Sequence, residues 1–268
     1  MNPSLFTYIL SQNMKVDGNV VFITGGASGI GFGLARRFAA AGSKVIVCGR
    51  RQEMLEEAMK LCPSISAFQG DVSTAEGRAA IYAKVLKDFP EVNVVINNAG
   101  VQNRAPRLTE PQEWTKHQQE LDINLHAPMH LSMLFIPHLI SRPDPVIINV
   151  SSGLSFVPIA AMPTYCATKA ALHSFTLSLR QQLSSTPIKV IEVAPPAVNT
   201  DLGGKGLHDF GVPLEQYCDF SFAKLIEGDE EFGYGFSEKA RVASFQERQE
   251  IFKQINGQHG PPVKLPGQ

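Results

Sequence analysis

The sequence predicts an α/β protein with a single doubly wound Rossmann domain, in which helices cover both faces of a mainly parallel, seven-stranded sheet. Three observations predict this fold. Short Val- and Ile-rich runs recur along the chain, helix-like segments separate them, and a glycine-rich loop follows the first run. Near-continuous apolar runs are typical of parallel strands that are buried on both faces. The runs lie at residues 20–23, 45–48, 94–96, 146–150 and 190–193.

Length and composition favour one large domain. The chain has 268 residues, of which 44% are hydrophobic and 18% charged, enough for a sizeable core. We predict a domain over residues 16–256, an N-terminal extension over 1–15 and a C-terminal tail over 257–268. Within the domain, residues 202–230 combine several glycines with aromatic residues and show no clean period. This pattern predicts an irregular substrate lid.

Charge and cysteine usage exclude several kinds of partner. With 24 basic and 25 acidic residues, the net charge of -1 provides no overall field for nucleic acid or an anionic membrane surface. The four cysteines form neither a CxxC pair nor a zinc-ligand spacing, so we expect reduced thiols and no metal site. The chain contains no run of 18 apolar residues and no signal-peptide pattern. We therefore expect a cytoplasmic protein that acts on a small molecule.

The glycine-rich loop predicts a phosphate site. It reads TGGASGIG over residues 24–31, directly after the first strand and before the first helix. Glycines let the backbone approach a pyrophosphate closely, and the helix N-terminus supplies N–H donors. An ordinary glycine-rich turn is the alternative, but the position between first strand and first helix favours dinucleotide binding. The candidate contacts are Gly25, Ser28, Gly29, Ile30 and Gly31.

The end of the second strand indicates the cofactor. An NAD enzyme of this fold places an acidic residue here, about 20 residues after the loop, to bind the ribose 2′-hydroxyl. This chain has Arg50 and Arg51 instead, whose guanidinium groups suit a 2′-phosphate. Ser28 can add a hydroxyl donor. We therefore predict NADP(H) in preference to NAD(H); the alternative is a solvated surface pair of arginines.

Further motifs bring a family resemblance. Gly70-Asp71-Val72 follows the third strand, Asn97-Asn98-Ala99-Gly100 follows the fourth, and Tyr165-Cys166-Ala167-Thr168-Lys169 opens a later helix. With the TGxxxGIG loop, these motifs resemble the shorter branch of the short-chain dehydrogenases/reductases, from about residue 20 to 202. The resemblance implies a catalytic set of Asn124, Ser152, Tyr165 and Lys169. It also implies cofactor contacts from Asp71, Val72, Asn98, Ala99, Gly100, Tyr165, Lys169, Val198 and Thr200.

The chemistry of Tyr165 and Lys169 agrees with that implication. At positions i and i+4 they share a helix face. A neighbouring ammonium lowers the pKa of a phenol, so we expect Tyr165 to act as the general acid and base. Lys169 can also hold the nicotinamide ribose. Alone, such a pair is more often a partly exposed helix face, but its agreement with the other motifs favours catalysis.

Ser152 and Asn124 complete the predicted set. Adjacent strand residues point to opposite faces, so only one of Ser151 and Ser152 can face a substrate carbonyl. The family spacing of thirteen residues before the tyrosine selects Ser152, with Ser151 as the alternative. Pro128 lacks the N–H that would bond the Asn124 carbonyl, which leaves that carbonyl able to hold a relay water. A simple helix kink is the alternative.

One loop departs from the family pattern. Residues 195–202 read PPAVNTDL, and Pro196 stands where the family usually has glycine. Proline restricts φ, so we expect an altered loop path with the same role. Together with residues 235–240, the Pro-Pro pair resembles a subgroup that includes an oxidoreductase encoded beside bacterial D-alanylation genes.

The sequence therefore predicts an NADP(H)-dependent oxidoreductase that interconverts a carbonyl (ketone or aldehyde) and an alcohol. The alternatives are a cofactor-binding sensor or scaffold protein without turnover, and an enoyl reductase-like enzyme. By resemblance we expect a homodimer, or secondly a tetramer, formed through helices around residues 114–138 and 163–183. Apolar residues expected near the nicotinamide favour an apolar substrate. They are Leu154, Phe156, Val157, Ala160, Ala161, Met162, Leu202, Phe210, Tyr217, Phe220 and Phe222.

Overall fold

The computed structural model describes residues 13–105, 108 and 110–257. Most of the predicted N-terminal extension and the C-terminal tail after residue 257 lie outside the described residues. The last part of the extension packs on the domain, because Met14 is buried in the core.

Seven parallel strands form one sheet in the described part of the chain. They are β1 (Val20–Thr24), β2 (Lys44–Gly49), β3 (Ile65–Gln69), β4 (Val94–Asn97), β5 (Val146–Val150), β6 (Lys189–Ala194) and β7 (Glu231–Gly233). Their order across the sheet is β3-β2-β1-β4-β5-β6-β7, and each neighbouring pair is parallel. The predicted doubly wound sheet is confirmed. Its order reverses between β1 and β4, where open α/β sheets place their ligands.

Helices cover both faces of the sheet. They are α1 (Gly29–Ala40), α2 (Gln52–Leu61), α3 (Ala75–Asp88), α4 (Trp114–Leu121), α5 (Ala127–Leu139), α6 (Pro163–Gln182), α7 (Leu214–Glu227), α8 (Phe236–Val242) and α9 (Phe245–Asn256). Two large apolar clusters fill the layers. One joins alternate strand residues such as Val21 and Ile23 to α1, α2 and α7. The other joins the intervening residues, such as Phe22, to α3, α5 and α6.

The predicted lid is only partly irregular. Residues 214–227 form the regular helix α7, so the expectation of an irregular segment over 202–230 is wrong for this half. Tyr217, Cys218 and Leu225 are buried in the core cluster that includes α1, and Arg37 pairs with Asp219 at 2.6 Å. Packing on α1 therefore stabilises α7. Its aromatic residues obscure the 3.6-residue period of an amphipathic helix in the sequence. That residues before 214 act as a lid stays a prediction.

The helix ends at Gly228, which adopts the left-handed conformation with φ of 81°. Glycine is favoured at this position because it has no Cβ to clash. Gly228 is therefore a helix terminator, whereas the sequence pattern had counted it toward an irregular loop.

All four cysteines are free, and Cys48, Cys166 and Cys218 are buried. This agrees with the expectation of reduced thiols. Among the described helices, none is both long and apolar enough to span a bilayer.

Gly33 provides a test of the packing between α1 and α7. A Cβ at Gly33 would overlap the sulfur of Cys218. We expect Gly33→Ala to lower the free energy of unfolding by about 1–3 kcal/mol, because overpacking outweighs the gain in helix propensity. Urea unfolding measures this change. Adding Cys218→Ala is expected to recover most of the loss, whereas a Gly33→Ala protein as stable as wild type would contradict the close contact.

Candidate active site

The glycine-rich loop lies between the carboxyl ends of β1 and β4. Gly25 has a φ of 64°, and its N–H donates to the Cys48 carbonyl at 2.8 Å. A Cβ on Gly25 would come within 2.9 Å of the Ala99 Cα. A Cβ on Gly31 would overlap the Asn98 side chain. Both positions thus require glycine for the packing of the loop against the segment after β4, besides any approach of a phosphate.

Thr24 connects this loop to the segment after β4 by hydrogen bonds, a role that the sequence motifs do not predict. Its hydroxyl oxygen accepts from the N–H groups of Asn98 and Ala99, each at 3.1 Å. The Asn98 side chain in turn donates to the Thr24 carbonyl at 3.0 Å and to the Gly25 carbonyl at 3.2 Å. The Asn98 amide therefore holds two loops together, and its role as a cofactor contact stays a prediction. A threonine at the end of a buried strand was the available signal.

A cavity adjoins the ends of β2 and β3. It measures about 370 Å³ and is lined by Arg50, Gln69, Gly70 and Asp71. The Gln69 side chain donates to the Arg50 carbonyl at 2.8 Å, which joins the two strand ends. The Asp71 carboxylate accepts from the Ser73 N–H at 2.9 Å.

Arg51 faces the glycine-rich loop. Its guanidinium group donates to the Ser28 hydroxyl at 3.4 Å. Ser28 precedes α1 and makes no capping hydrogen bond with its side chain. After the end of β2, Arg50 thus lines the cavity and Arg51 contacts Ser28. This arrangement can bind an anionic group beyond the pyrophosphate.

Ser152, Tyr165 and Lys169 come together at the end of β5. Tyr165 and Lys169 are both buried on α6, and the Lys169 Nζ lies 5.8 Å from the Tyr165 ring centre. The Ser152 hydroxyl lies close enough to the Tyr165 phenol to lower the pKa of that phenol. The Lys169 ammonium donates to the Val150 carbonyl at 2.8 Å. The structure therefore places a hydroxyl, a phenol and an amine side by side, one strand away from the switch in strand order.

The two consecutive serines point to different partners. Ser152 accepts from the Leu154 N–H at 3.1 Å and lies beside Tyr165. Ser151 instead donates to the buried carboxylate of Glu192 on β6. Of the two, the structure sets Ser152 next to Tyr165, as the family spacing selects. The catalytic role of Ser152 stays a prediction.

Asn124 lies in a π-helical turn, Asp122–His126, between α4 and α5. The predicted distortion is present, and Pro128 follows in the first turn of α5, where its missing N–H favours a widened turn. The Asn124 side chain accepts from the Val101 N–H at 2.9 Å and donates to the Val101 carbonyl at 2.8 Å. A Cβ on Gly100 would lie within 4 Å of both Asn124 and Lys169. The water relay stays a prediction.

The charge states of the pair differ from the expectation. Burial raises the pKa of Tyr165 above its usual value, and this effect exceeds the lowering by the nearby Ser152 hydroxyl. Burial also lowers the pKa of Lys169 to about 8, while the negative charge of Glu192 opposes that change. The expectation of a lowered pKa for Tyr165 is therefore wrong. A desolvated phenol keeps its proton because its charged form is disfavoured.

The loop after β6 covers the glycine-rich loop. Thr200 lies against Gly29, where a Cβ would sit 3.4 Å from its methyl group. Val198 is buried and forms an isolated parallel bridge with Val212. The Asn199 N–H donates to the Val212 carbonyl and the Val212 N–H donates to the Ala197 carbonyl, each at 2.9 Å, which ties down this loop despite the Pro-Pro pair. Contacts of Val198 and Thr200 with a carboxamide stay predictions.

The expected apolar substrate residues separate into groups. Leu154, Ala161, Met162 and Leu202 pack around Tyr165 and Cys166, as expected. The others do not belong to this cluster. Phe156 and Val157 pack on α8 and α9, Ala160 is bonded to Asn256, Phe210 is exposed, and Tyr217, Phe220 and Phe222 belong to the core. The expectation is wrong for the last three, because α7 turns them toward α1 and the sheet.

Comparison with known proteins gives concordant results. A family profile described as short chain dehydrogenase matches residues 19–209. The uncharacterized oxidoreductase DltE of Bacillus subtilis is 43% identical over 250 residues, which cover 91% of this chain and 99% of that protein. Both findings confirm the predicted resemblance, the second at the level of the subgroup.

Solved structures share the fold. A short chain dehydrogenase from Burkholderia cenocepacia J2315, in complex with NADP, superposes with a TM-score of 0.78 at 25% identity, covering 90% of this chain and 99% of that one. A 3-ketoacyl-(acyl-carrier-protein) reductase from Brucella melitensis, complexed with NADH, gives a TM-score of 0.75 at 25% identity, covering 83% and 100%. These two proteins bind different nicotinamide cofactors, so the fold itself supports a nicotinamide cofactor of either kind.

The double hydrogen bond between Asn124 and Val101 predicts a structural effect that is separate from catalysis. We expect Asn124→Ala to lower the free energy of unfolding by about 2 kcal/mol or more, because two backbone groups lose a buried partner. Asn256→Ala is the matched control: its side chain also bridges an N–H, of Ala160, and a carbonyl, of Pro158, but in contact with solvent. Its loss should stay below about 1 kcal/mol. Equal losses in urea unfolding would contradict the role given to burial.

Proposed function

The chain belongs to the short-chain dehydrogenase family, and on that premise we propose that it uses NADP(H) to interconvert a small, apolar ketone or aldehyde and the corresponding alcohol. The observation that carries this proposal is the buried grouping of Ser152, Tyr165 and Lys169 at the carboxyl end of β5. It lies one strand away from the point between β1 and β4 where the strand order reverses.

Each member of the group has a role that its position supports. The glycine-rich loop, Arg50 and Arg51 would hold NADPH, which would supply a hydride to the carbonyl carbon. The hydroxyl groups of Ser152 and Tyr165 hydrogen-bond the carbonyl oxygen and stabilise the negative charge that develops there. Tyr165 then gives its proton to that oxygen, which yields the alcohol. The Lys169 ammonium stabilises the phenolate left on Tyr165, and the reverse steps oxidise an alcohol.

The pKa directions suit the reductive step. Because burial raises the pKa of Tyr165, the phenol is protonated at neutral pH and available as an acid. Lys169, whose pKa is lowered to about 8, still carries its proton at pH 7. A site with these two protons is ready to receive a carbonyl substrate together with the reduced cofactor.

The preference for NADP(H) rests on the arginines after β2. Arg50 lines the cavity at the ends of β2 and β3, and Arg51 donates to Ser28. The segment Gly49-Arg50-Arg51 contains no carboxylate that would repel a 2′-phosphate. Two guanidinium groups beside that position favour the phosphorylated ribose.

Substrate, assembly and location are proposed from weaker features. The residues around Tyr165, including Leu154, Met162 and Leu202, are apolar and favour an apolar carbonyl compound. Met133 on α5 and Leu177 on α6 are exposed large apolar side chains, which supports a homodimer formed through these helices. The four free thiols support a cytoplasmic protein.

Removing the Tyr165 hydroxyl tests the proposed activity. We expect Tyr165→Phe to lower kcat at least a hundredfold, because the step loses its general acid, while the Kd for NADPH stays within about twofold. Turnover is followed by cofactor absorbance with a panel of ketones and aldehydes, and binding by NADPH fluorescence. A variant that keeps wild-type turnover would contradict the role of Tyr165. A wild-type protein that binds NADPH but turns over none of the panel would favour the sensor alternative.

Reversing the charge at Arg50 tests the cofactor choice. We expect Arg50→Asp to lower the ratio of kcat/KM for NADPH over that for NADH by about tenfold or more, because a carboxylate repels the 2′-phosphate and can accept from a 2′-hydroxyl. Lys60→Asp, at the far end of α2, makes the same charge change away from the cavity. It should leave the ratio unchanged. An unchanged ratio for Arg50→Asp would remove the basis for preferring NADP(H).

A further inference from the structure

Glu192 is a fully buried carboxylate in the middle of the apolar strand β6. One of its oxygens accepts from the Ser151 hydroxyl, and the other is bonded to the His173 Nδ1 at 2.8 Å. A buried charge destabilises a protein unless hydrogen bonds and opposite charges compensate for it. Burial of the Glu192 charge therefore lowers the stability of the fold, and no step proposed for the active site uses this carboxylate directly.

The position of Glu192 connects it to Lys169. Lys169 and His173 are four residues apart on α6, so both face β5 and β6 from the same side of the helix. The Lys169 Nζ donates to Val150, and the next residue, Ser151, donates to Glu192. The consecutive residues Val150 and Ser151 thus connect the Lys169 ammonium to the Glu192 carboxylate. In agreement with this geometry, the negative charge of Glu192 raises the pKa of Lys169 against the effect of burial.

We propose that Glu192, held in place by Ser151 and His173, is a positioning residue whose negative charge keeps the buried Lys169 protonated. The inference rests on the proposed function, since it is the proton on Lys169 that supports Tyr165. It also gives Ser151 a role: this serine orients Glu192, while its neighbour Ser152 faces the tyrosine.

The other charges near this network have partners of their own. Glu231 on β7 faces His173, but it pairs with Arg241 on α8 at 3.5 Å and with Arg180 on α6 at 3.8 Å. Glu192, Glu231 and His173 are close enough together to hold a metal ion. Two guanidinium groups on Glu231 and the Ser151 hydroxyl on Glu192 already occupy these oxygens, so we assign the cluster to charge stabilisation.

Lys169 has other titratable neighbours. On its own helix, Tyr165 and Cys166 both keep their protons because burial raises their pKa values. From α4, the buried Glu120 raises the pKa values of these two residues. Glu192 is thus the carboxylate whose charge bears on Lys169 among the described residues.

The effect of His173 fixes the sign of the pH dependence. Its hydrogen bond to Glu192 raises the pKa of His173. Below that pKa the imidazolium partly cancels the charge of Glu192, and above it the carboxylate acts alone. Its support of Lys169 is therefore strongest on the alkaline side, where the lysine would otherwise lose its proton.

Direct titration of Lys169 tests the inference without turnover. The protein is labelled with ¹³Cε,¹⁵Nζ-lysine, and the Lys169 resonance is assigned by its absence from Lys169→Arg. We expect Glu192→Gln, which preserves size but removes the charge, to lower the pKa of Lys169 by about one pH unit. Glu231→Gln is the matched control, because it neutralises the neighbouring carboxylate of the same cluster, and it should leave the Lys169 pKa unchanged.

Two results of this titration would overturn the proposal. One is an unchanged Lys169 pKa in Glu192→Gln, and the other is a fall in Glu231→Gln as large as the fall in Glu192→Gln. If Glu192→Gln does not fold, His173→Arg is the second variant, since a permanent cation on the Glu192 oxygen should also lower the Lys169 pKa. Ser174→Arg, which adds the same charge at an exposed position on α6, is its control. Equal effects of these two arginines, or none, overturn the proposal.

Turnover supplies an independent second readout. In the reductive direction, the alkaline limb of the pH profile of kcat should move to lower pH in Glu192→Gln by the same interval as the lysine titration. A wild-type protein that reduces no carbonyl substrate counts against the proposed function, but the Lys169 titration still decides the role of Glu192. A lysine that titrates as expected while the kcat profile stays in place would overturn the link between its charge and catalysis.

Discussion

An all-parallel sheet that is buried on both faces is the constraint on which the rest of this molecule depends. All seven strands run the same way, so their carboxyl ends meet at one edge. The glycine-rich loop, the segment after β4, Ser152 and the loop after β6 all follow strands and therefore gather there. Between one parallel strand and the next, a helix must return the chain to the edge of the sheet where strands begin. These helices bury the strands between two apolar layers. The site is thus a product of the topology as much as of its own residues.

The fold could be predicted because its central strands carry a strong signal. Residues buried on both faces are mostly apolar, so β1, β2, β4, β5 and β6 appear in the sequence as Val- and Ile-rich runs, with Asn149 and Glu192 as the polar exceptions within the runs 146–150 and 190–193. The edge strands have a weaker hydrophobic signal in the sequence, because β3 is partly exposed along most of its length and β7 has only three residues. Helix α7 was missed for a different reason. Its aromatic residues contact the core on more than one side, so the period of an amphipathic helix is blurred, and only its packing on α1 reveals it.

The site was predicted in its parts but not in its connections. Short motifs select Ser152, Tyr165 and Lys169 because their order and spacing are distinctive, and these residues do lie near one another, while their catalytic roles stay a proposal. They do not show that Thr24 and Asn98 bind each other's loops, or that the carboxylate within β6 is bonded by a serine and a histidine from two other elements. Such bonds join residues far apart in the chain. A charged residue inside an apolar strand run, Glu192, was the one visible trace of the second network.

Burial also decides the electrostatics of Tyr165 and Lys169, the proposed catalytic pair, which sequence spacing alone could not. A lysine four residues from a tyrosine lowers its pKa when both are hydrated, but here removal from water acts on both groups and disfavours both charges. One nearby carboxylate acts on each residue. Glu192 opposes the effect of burial on Lys169 and favours the ammonium, whereas Glu120 adds to the effect of burial on Tyr165 and favours the neutral phenol. Both therefore stabilise the protonated forms. In the reaction that we propose, reduction of a carbonyl begins from those forms and oxidation of an alcohol requires the phenolate, so the proposal expects these surroundings to favour the reductive direction at neutral pH.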